Sequence, residues 1–175
     1  VNAAHQSLVL TAVGNGAKAG ANVQVDEQSS GKGQAWKPVT LSALVTTPKT
    51  AKEKTLIKWA KKTASPGKGL CAAWVTYVFQ NAGIGTWGGD ACDQYRSWCN
   101  STDLTMLRPG MIVAVSSHGH TDAGKIWGHV CIYVGNGKIM DNVGTIRTMS
   151  LYEWLAWYGD RVTPKWGWLG GRRLS

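Results

Sequence analysis

Phenylalanine is almost absent from this sequence: one residue in 175, beside ten tryptophans. Tryptophan is an expensive core filler, because its N–H wants a partner, but its flat face stacks well on sugar rings and amides. Charged residues are also few, 17% against 43% hydrophobic, and that balance excludes a disordered chain. Acidic residues are the scarcer sign, 10 Asp+Glu against 19 Lys+Arg for a formal charge of +9. Such an excess calls for an anionic partner: nucleic acid, acidic lipid or the anionic polymers of a bacterial wall. Long hydrophobic runs are missing. None approaches the ~18 residues of a spanning helix, which excludes an integral membrane protein. Cysteine is sparse as well. Four in 175 residues is far below disulfide-scaffold density, and without a C-x-x-C, or an H-x-x-x-H near a cysteine pair, no zinc ribbon or finger is encoded. The four read as thiols.

The length suits one well-buried domain with a small appendage. Only Lys18, Lys32 and Lys37 oppose Asp26 and Glu27 in residues 1–48, so eight of the nine surplus charges belong to residues 49–175. Val1 opens into polar sequence without a signal-peptide pattern, so the chain reads as a mature or trimmed form. Residues 7–13 and 21–25 alternate around a Gly/Asn/Lys turn and predict a β-hairpin. From Thr50 a helix is expected, with Leu56, Ile57, Trp59 and Ala60 on one face and Lys54, Lys58, Lys61 and Lys62 on the other. That lysine face is a solvated surface or a docking face for an anionic polymer. Ser65–Gly69 breaks the chain; a second helix runs from Cys71 to Ala82 and stops at Gly83, and a shorter one from Asp90 to Cys99. The period then becomes that of strands, at 111–115, 128–134, 138–142 and 145–149, with a turn at Gly135-Asn136-Gly137. Ser150-x-x-Glu153 predicts a capping box opening a last helix. Residues 166–171 are a candidate closing strand. Helices first and an antiparallel meander second make an α+β chain.

Cys71 is the first candidate for chemistry. It follows a glycine-rich loop at the first turn of an apolar helix, where unsatisfied N–H groups and the helix dipole favour a thiolate. A thiolate is the nucleophile that acyl transfer needs. His129 is the second. It opens a strand in which Val130, Ile132 and Val134 take the opposite face. A strand-borne histidine beside a helix-borne cysteine is the layout of a thiol–imidazole pair. His5, His118 and His120 are weaker candidates, the first in the N-terminal segment and the others in a glycine-rich loop.

Three stretches carry a resemblance: Gly69-Leu70-Cys71-Ala-Ala-Trp-Val, Leu107-Arg-Pro-Gly-Met-Ile-Val, and Gly128-His129-Val-Cys-Ile-Tyr-Val-Gly-Asn-Gly. Together, over roughly residues 52–159, they resemble the NlpC/P60 and CHAP cell-wall cysteine peptidases. The resemblance implies a papain-like α+β fold, helices packed on an antiparallel sheet, with Cys71 as nucleophile and His129 as base. It also implies cleavage of peptidoglycan, in a stem peptide or at the muramoyl–peptide amide, by a secreted, wall-associated enzyme. No metal or organic cofactor is implied. The family's third residue is usually a histidine twelve positions past the catalytic one, and here that position is Asp141. A strict two-residue turn would instead bring Asn142 to the face of His129, whereas a bulged Gly-Asn-Gly turn brings Asp141. Asp141 is preferred, with Asn142 as the alternative. The chain departs from the family in lacking Tyr-x-Trp-Gly-Gly ahead of the cysteine and Asp-Cys-Ser around it, and no side-chain donor for an oxyanion is identifiable.

Residues 1–48 end in Gly33-Gln34-Ala35-Trp36 and resemble one repeat of a ricin-type β-trefoil, a sugar-binding family. One repeat cannot close a trefoil, so the segment reads as a hairpin or a remnant of a carbohydrate-binding module, and residues 49–175 as the catalytic domain. Among the remaining thiols, Cys131 shares the face of His129 but reads as packing, and Cys92 and Cys99 are too far apart on one helix to bridge. Trp87, Trp98 and Trp127 are placed near the expected cleft. The expected partners are peptidoglycan and anionic wall polymers, not nucleic acid, for a monomer without a membrane span. The competing readings are a non-catalytic wall- or sugar-binding protein, and a thiol acyltransferase or deamidating toxin on the same fold.

Overall fold

The computed structural model describes the backbone of residues 8–12 and 23–27, and residues 47–174 in full. The chain divides into two compact units, residues 1–38 and 39–175. In the first, β1 (Leu8–Ala12) pairs antiparallel with β2 (Val23–Glu27), Leu8 opposite Glu27 and Ala12 opposite Val23, which is the hairpin the alternation predicted. The Gly33–Trp36 end of the trefoil-like repeat lies outside the described residues.

In the second unit the order is α1 (Ala51–Lys62), α2 (Cys71–Asn81), α3 (Ala91–Trp98), β3 (Ile112–Val115), α4 (Asp122–Trp127), β4 (His129–Gly135), β5 (Lys138–Asn142), β6 (Ile146–Ser150), α5 (Leu151–Tyr158) and β7 (Lys165–Gly167). The five strands β3–β7 form one antiparallel sheet in the order β6-β5-β4-β3-β7. The expected α+β class and its papain-like arrangement of helices on an antiparallel sheet are what the structure contains. Helix α4 and a 3-10 turn at Leu104–Met106 were not expected, and the closing segment is a three-residue strand followed by a 3-10 turn.

Two apolar layers explain why β3 and β4 read as nearly continuous hydrophobic runs: both of their faces are covered. On one side Leu56 of α1 and Trp74, Val75, Val78 and Phe79 of α2 meet Ile112, Ala114, Val130 and Ile132. On the other, Leu151, Trp154 and Leu155 of α5 meet Val113, Val115, Cys131 and Tyr133. Residues 129–133 therefore alternate between two buried environments, with His129 on the α5 side.

Local signals set the helix ends. Thr50 and Glu53 close a capping box on α1, Glu53 N–H donating to Thr50 Oγ1 at 3.1 Å and Thr50 N–H to Glu53 Oε2 at 3.0 Å. Gly83, at φ 69°, ends α2 in a Schellman turn, with Ile84 N–H on Phe79 O and Gly83 N–H on Gln80 O. Ser150 stands at the N-cap of α5 as predicted, but its side chain makes no capping bond: it is also the last residue of β6, and its backbone runs directly from ladder to helix.

Candidate active site

Cys71 sits at the first turn of α2, and the loop leading to it is fixed by a residue from the sheet. Asn142, at the end of β5, donates from Nδ2 to Gly67 O (2.8 Å) and Leu70 O (3.2 Å), while its Oδ1 accepts from Ser65 Oγ (2.7 Å). Leu70 provides no side-chain cap for α2, so the first-turn N–H groups stay available to an anion. Burial, the largest influence, pushes the Cys71 thiol up. The hydrogen bond and charge of His129, with the Val130 and Ala72 backbone groups, outweigh it and hold the thiol below its usual range.

His129 is placed by the residue before it. Gly128 has φ 71°, and a Cβ there would run into the carbonyl oxygen of Val115, the residue that pairs with His129 across the sheet. The imidazole stacks on Tyr158 (centroids 4.4 Å apart), with Trp154 5.9 Å away and itself packed 4.9 Å from Tyr158. Its Nε2 lies 2.8 Å from Asp141 Oδ2, which leaves Nδ1 for the Cys71 thiol, its other hydrogen-bond partner. Burial opposes the imidazolium, but Asp141 and Cys71 prevail and raise His129 to about 9. A lowered thiol facing a raised imidazole favours transfer of the thiol proton to the ring.

Asp141 rather than Asn142 faces His129 because of a bulge. Cys131 pairs with Asp141, Ile132 with Met140 and Tyr133 with Ile139, and the register then slips between Tyr133 and Gly135. Asp141 is fully buried and accepts four hydrogen bonds. Beyond His129 these are Arg147 Nε on Oδ1 (2.8 Å), Arg147 Nη2 on Oδ2 (3.0 Å) and Trp154 Nε1 on Oδ2 (3.2 Å). Burial works against the carboxylate, but His129 and Arg147 hold Asp141 below its ordinary range. Arg147 Nη2 also donates to the Tyr158 hydroxyl at 2.9 Å. Burial and the Asp141 charge push that hydroxyl up to about 12, so it stays protonated and neutral against the imidazolium.

Cys71 and His129 open on a cleft of about 830 Å³. Its rim carries exposed apolar side chains: Leu70 and Tyr77 from the α2 side, Trp127 and Trp157 from the other. Of the three tryptophans expected near the site, only Trp127 lines it. Trp87, edge-on to Phe79 with centroids 6.0 Å apart, and Trp98 pack on the first core layer, and Trp157 takes a place the sequence did not single out. Among the described residues no group of three or more His, Cys, Asp or Glu side chains is placed to hold a metal, and no helix is long and apolar enough to cross a membrane. Cys92, Cys99 and Cys131 are buried free thiols. Burial and nearby Asp93 raise Cys92; burial pushes Cys99 up to about 12, and burial with the Asp141 charge drives Cys131 well up.

Sequence reasoning missed Arg147, Trp154 and Tyr158, which frame the Asp141–His129 pair from β6 and α5; His118, a weaker candidate in the sequence, lines the cleft on the same side. The only sequence signal of Trp154 and Tyr158 is the aromatic density of residues 152–158, and Arg147 has none; what the three contact depends on a chain reversal that no local pattern records. The arrangement holds the groups that acyl transfer needs: a thiol with a lowered pKa, an imidazole within its reach and a carboxylate on the far ring nitrogen.

No protein-family model matches this sequence, and no curated protein matches it. Among solved structures it is similar to NlpC1 from Trichomonas vaginalis, with 16% identity and a TM-score of 0.50 over 82% of this chain and 54% of that one. NlpC2 from the same organism gives 13% identity and a TM-score of 0.45 over 82% of this chain and 65% of that one. The chain thus spans about half the length of NlpC1. With its helices on a five-stranded antiparallel sheet, and with the likeness to NlpC1, this chain has the papain-like fold of the NlpC type.

Proposed function

We propose that this chain is a cysteine hydrolase of the bacterial cell wall, cleaving an amide bond of peptidoglycan in a stem peptide or between peptide and muramic acid. The observation that carries the proposal is the Cys71–His129–Asp141 chain opening on a large cleft. Cys71 attacks the amide carbonyl as a thiolate. The imidazolium of His129 protonates the departing amine, and water, deprotonated by the same ring, releases the acyl group. Asp141 keeps the ring in the tautomer and orientation this requires. The formal charge of +9 and the exposed Trp127 and Trp157 suit a substrate that is anionic and built of sugar and peptide. In this reading residues 49–175 are the catalytic domain of a secreted, monomeric enzyme that holds to anionic wall polymers. Residues 1–48 are a β-hairpin segment, either an appendage in its own right or the remnant of a carbohydrate-binding module.

The test is digestion of purified sacculi by the parent and by Cys71→Ala. The parent is expected to solubilise wall material and the variant to lose all but a trace. An alanine variant as fast as the parent sinks the proposal. Mass spectrometry of the fragments identifies the bond, and a transferred acyl group or deamidated side chain in place of hydrolysis would redirect the reading to a transferase or deamidase.

A further inference from the structure

We infer that His118 is a substrate-binding residue of this cleft, its Nε2–H donating to a carbonyl or carboxylate oxygen on the His129 side of the scissile bond. The inference rests on the hydrolase reading above and adds a contact to it. His118 lies in the turn between β3 and α4 and is 5% exposed. Its ring lies against Gly124, where any Cβ would strike it. The same ring meets Tyr158 edge-on at 4.9 Å and His129 at 6.1 Å. The turn itself is tied down at both flanks: His118 N–H donates to Gly124 O at 3.0 Å, and Gly119 N–H to Asp160 Oδ2 at 2.8 Å.

The direction of the remaining hydrogen bond fixes the proton. His120 N–H lies 3.3 Å from His118 Nδ1. A backbone N–H can only donate, so Nδ1 accepts and the proton of the neutral ring is on Nε2. Nε2 makes no hydrogen bond to any described residue. Nor is it sealed away, since Gln94 Oε1 is the one buried side-chain polar atom without a partner among the described residues. His118 Nε2 lies over Gly124, and both His118 and Gly124 line the cleft. Burial, then the nearby His129 and His120, push His118 down to about 4, which keeps the ring neutral beside the charged His129. A neutral donor in an otherwise packed wall suits a peptide oxygen. Because His129 hands its proton to the departing amine, the wall beyond it meets the half of the substrate that carries that amine.

The experiment compares parent, His118→Phe and His118→Gln for sacculus hydrolysis, for Cys71 alkylation by iodoacetamide, and for thermal melting. Phenylalanine keeps the packing on Gly124 and Tyr158 and removes the donor; glutamine keeps an N–H and gives up the ring. Hydrolysis by His118→Phe is expected to fall about tenfold, alkylation to stay at the parent rate, and His118→Gln to remain within about threefold of the parent. His118→Leu repeats the test should the phenylalanine variant not fold. An unchanged rate in the Phe variant overturns the inference and leaves the hydrolase reading standing. Alkylation that falls in step with hydrolysis overturns it too, since the ring would then serve the thiol. So does a folded Gln variant as slow as Phe. A parent that alkylates rapidly yet releases nothing from sacculi fails the hydrolase reading itself, and this inference with it.

Discussion

Replacing His129 with alanine removes what opposes burial at Cys71, and the effect can be sized from within the molecule. Cys99 shows what burial does to a thiol without an imidazole: it is pushed up to about 12. In His129→Ala, Cys71 should therefore titrate above its ordinary 9.0, toward the behaviour of Cys99. At pH 7 a thiol at 9.0 is about 1% thiolate, so the reactive population falls about 100-fold from that of a fully formed ion pair. The thiolate that remains is the better nucleophile, by roughly 0.4–0.5 log units for each unit of basicity, so the observed rate falls less, by at least about tenfold. The assay is iodoacetamide alkylation between pH 5 and 10, with site-resolved mass spectrometry. Cys99 and Cys131, both pushed up by burial, serve as slow internal references. The parent should alkylate at Cys71 almost independently of pH around neutrality. A parent whose rate climbs with an inflection near 9, or an alanine variant as fast as the parent at pH 7, would refute the ion pair.

Two further outcomes are expected. Asp141→Asn turns a fully buried acceptor of four hydrogen bonds into a group that also donates, facing Arg147, Trp154 and His129. Because Arg147 is 37% exposed and can turn to water, the cost should lie at the low end for a broken buried pair, about 3 kcal/mol, or near 10 °C in Tm by calorimetry; no change in Tm would contradict the geometry. The second concerns pH. His129 is raised from 6.5 to about 9 on folding, so its stabilisation is complete below 6.5 and is lost as pH rises through about 9. Asp141 is depressed, so its share is present above 3.8 and is lost as pH falls. Cys71, held below its usual range, contributes with the opposite sign over the same window, so the test uses Cys71→Ala. Its melting curves should decline between pH 7 and 9.5 more steeply than those of Cys71→Ala/His129→Phe, and parallel curves would refute the shift.

Cys71 and His129 were legible because each is marked locally, one by a glycine-rich break before an apolar helix, the other by a glycine before an alternating strand. Asp141 was preferred over Asn142 without a local pattern to decide it, since the choice turns on whether the ladder slips at Val134, which follows from how the Gly135–Gly137 turn closes. Helix α4 escaped because six residues around Gly124 hold too little periodicity to signal a helix; Thr121, whose Oγ1 accepts from Gly124 N–H at 2.9 Å, is its one clear mark. The frame around His129 was invisible for a different reason. Arg147, Trp154 and Tyr158 reach Asp141 and the imidazole only once β6 and α5 have folded back over β4 and β5.

The neighbours Asp141 and Asn142 point to opposite faces of β5, and each steadies a different half of the chemistry. Asp141 holds the base, and Asn142 holds the loop that delivers the nucleophile. A single peptide unit therefore works as a gauge block between the two reacting groups, and their spacing is as stiff as the sheet. Insertions elsewhere on the surface leave that gauge untouched. Deleting one residue from the 134–137 turn would exchange the two side chains between faces, loosening the nucleophile and the base in one stroke.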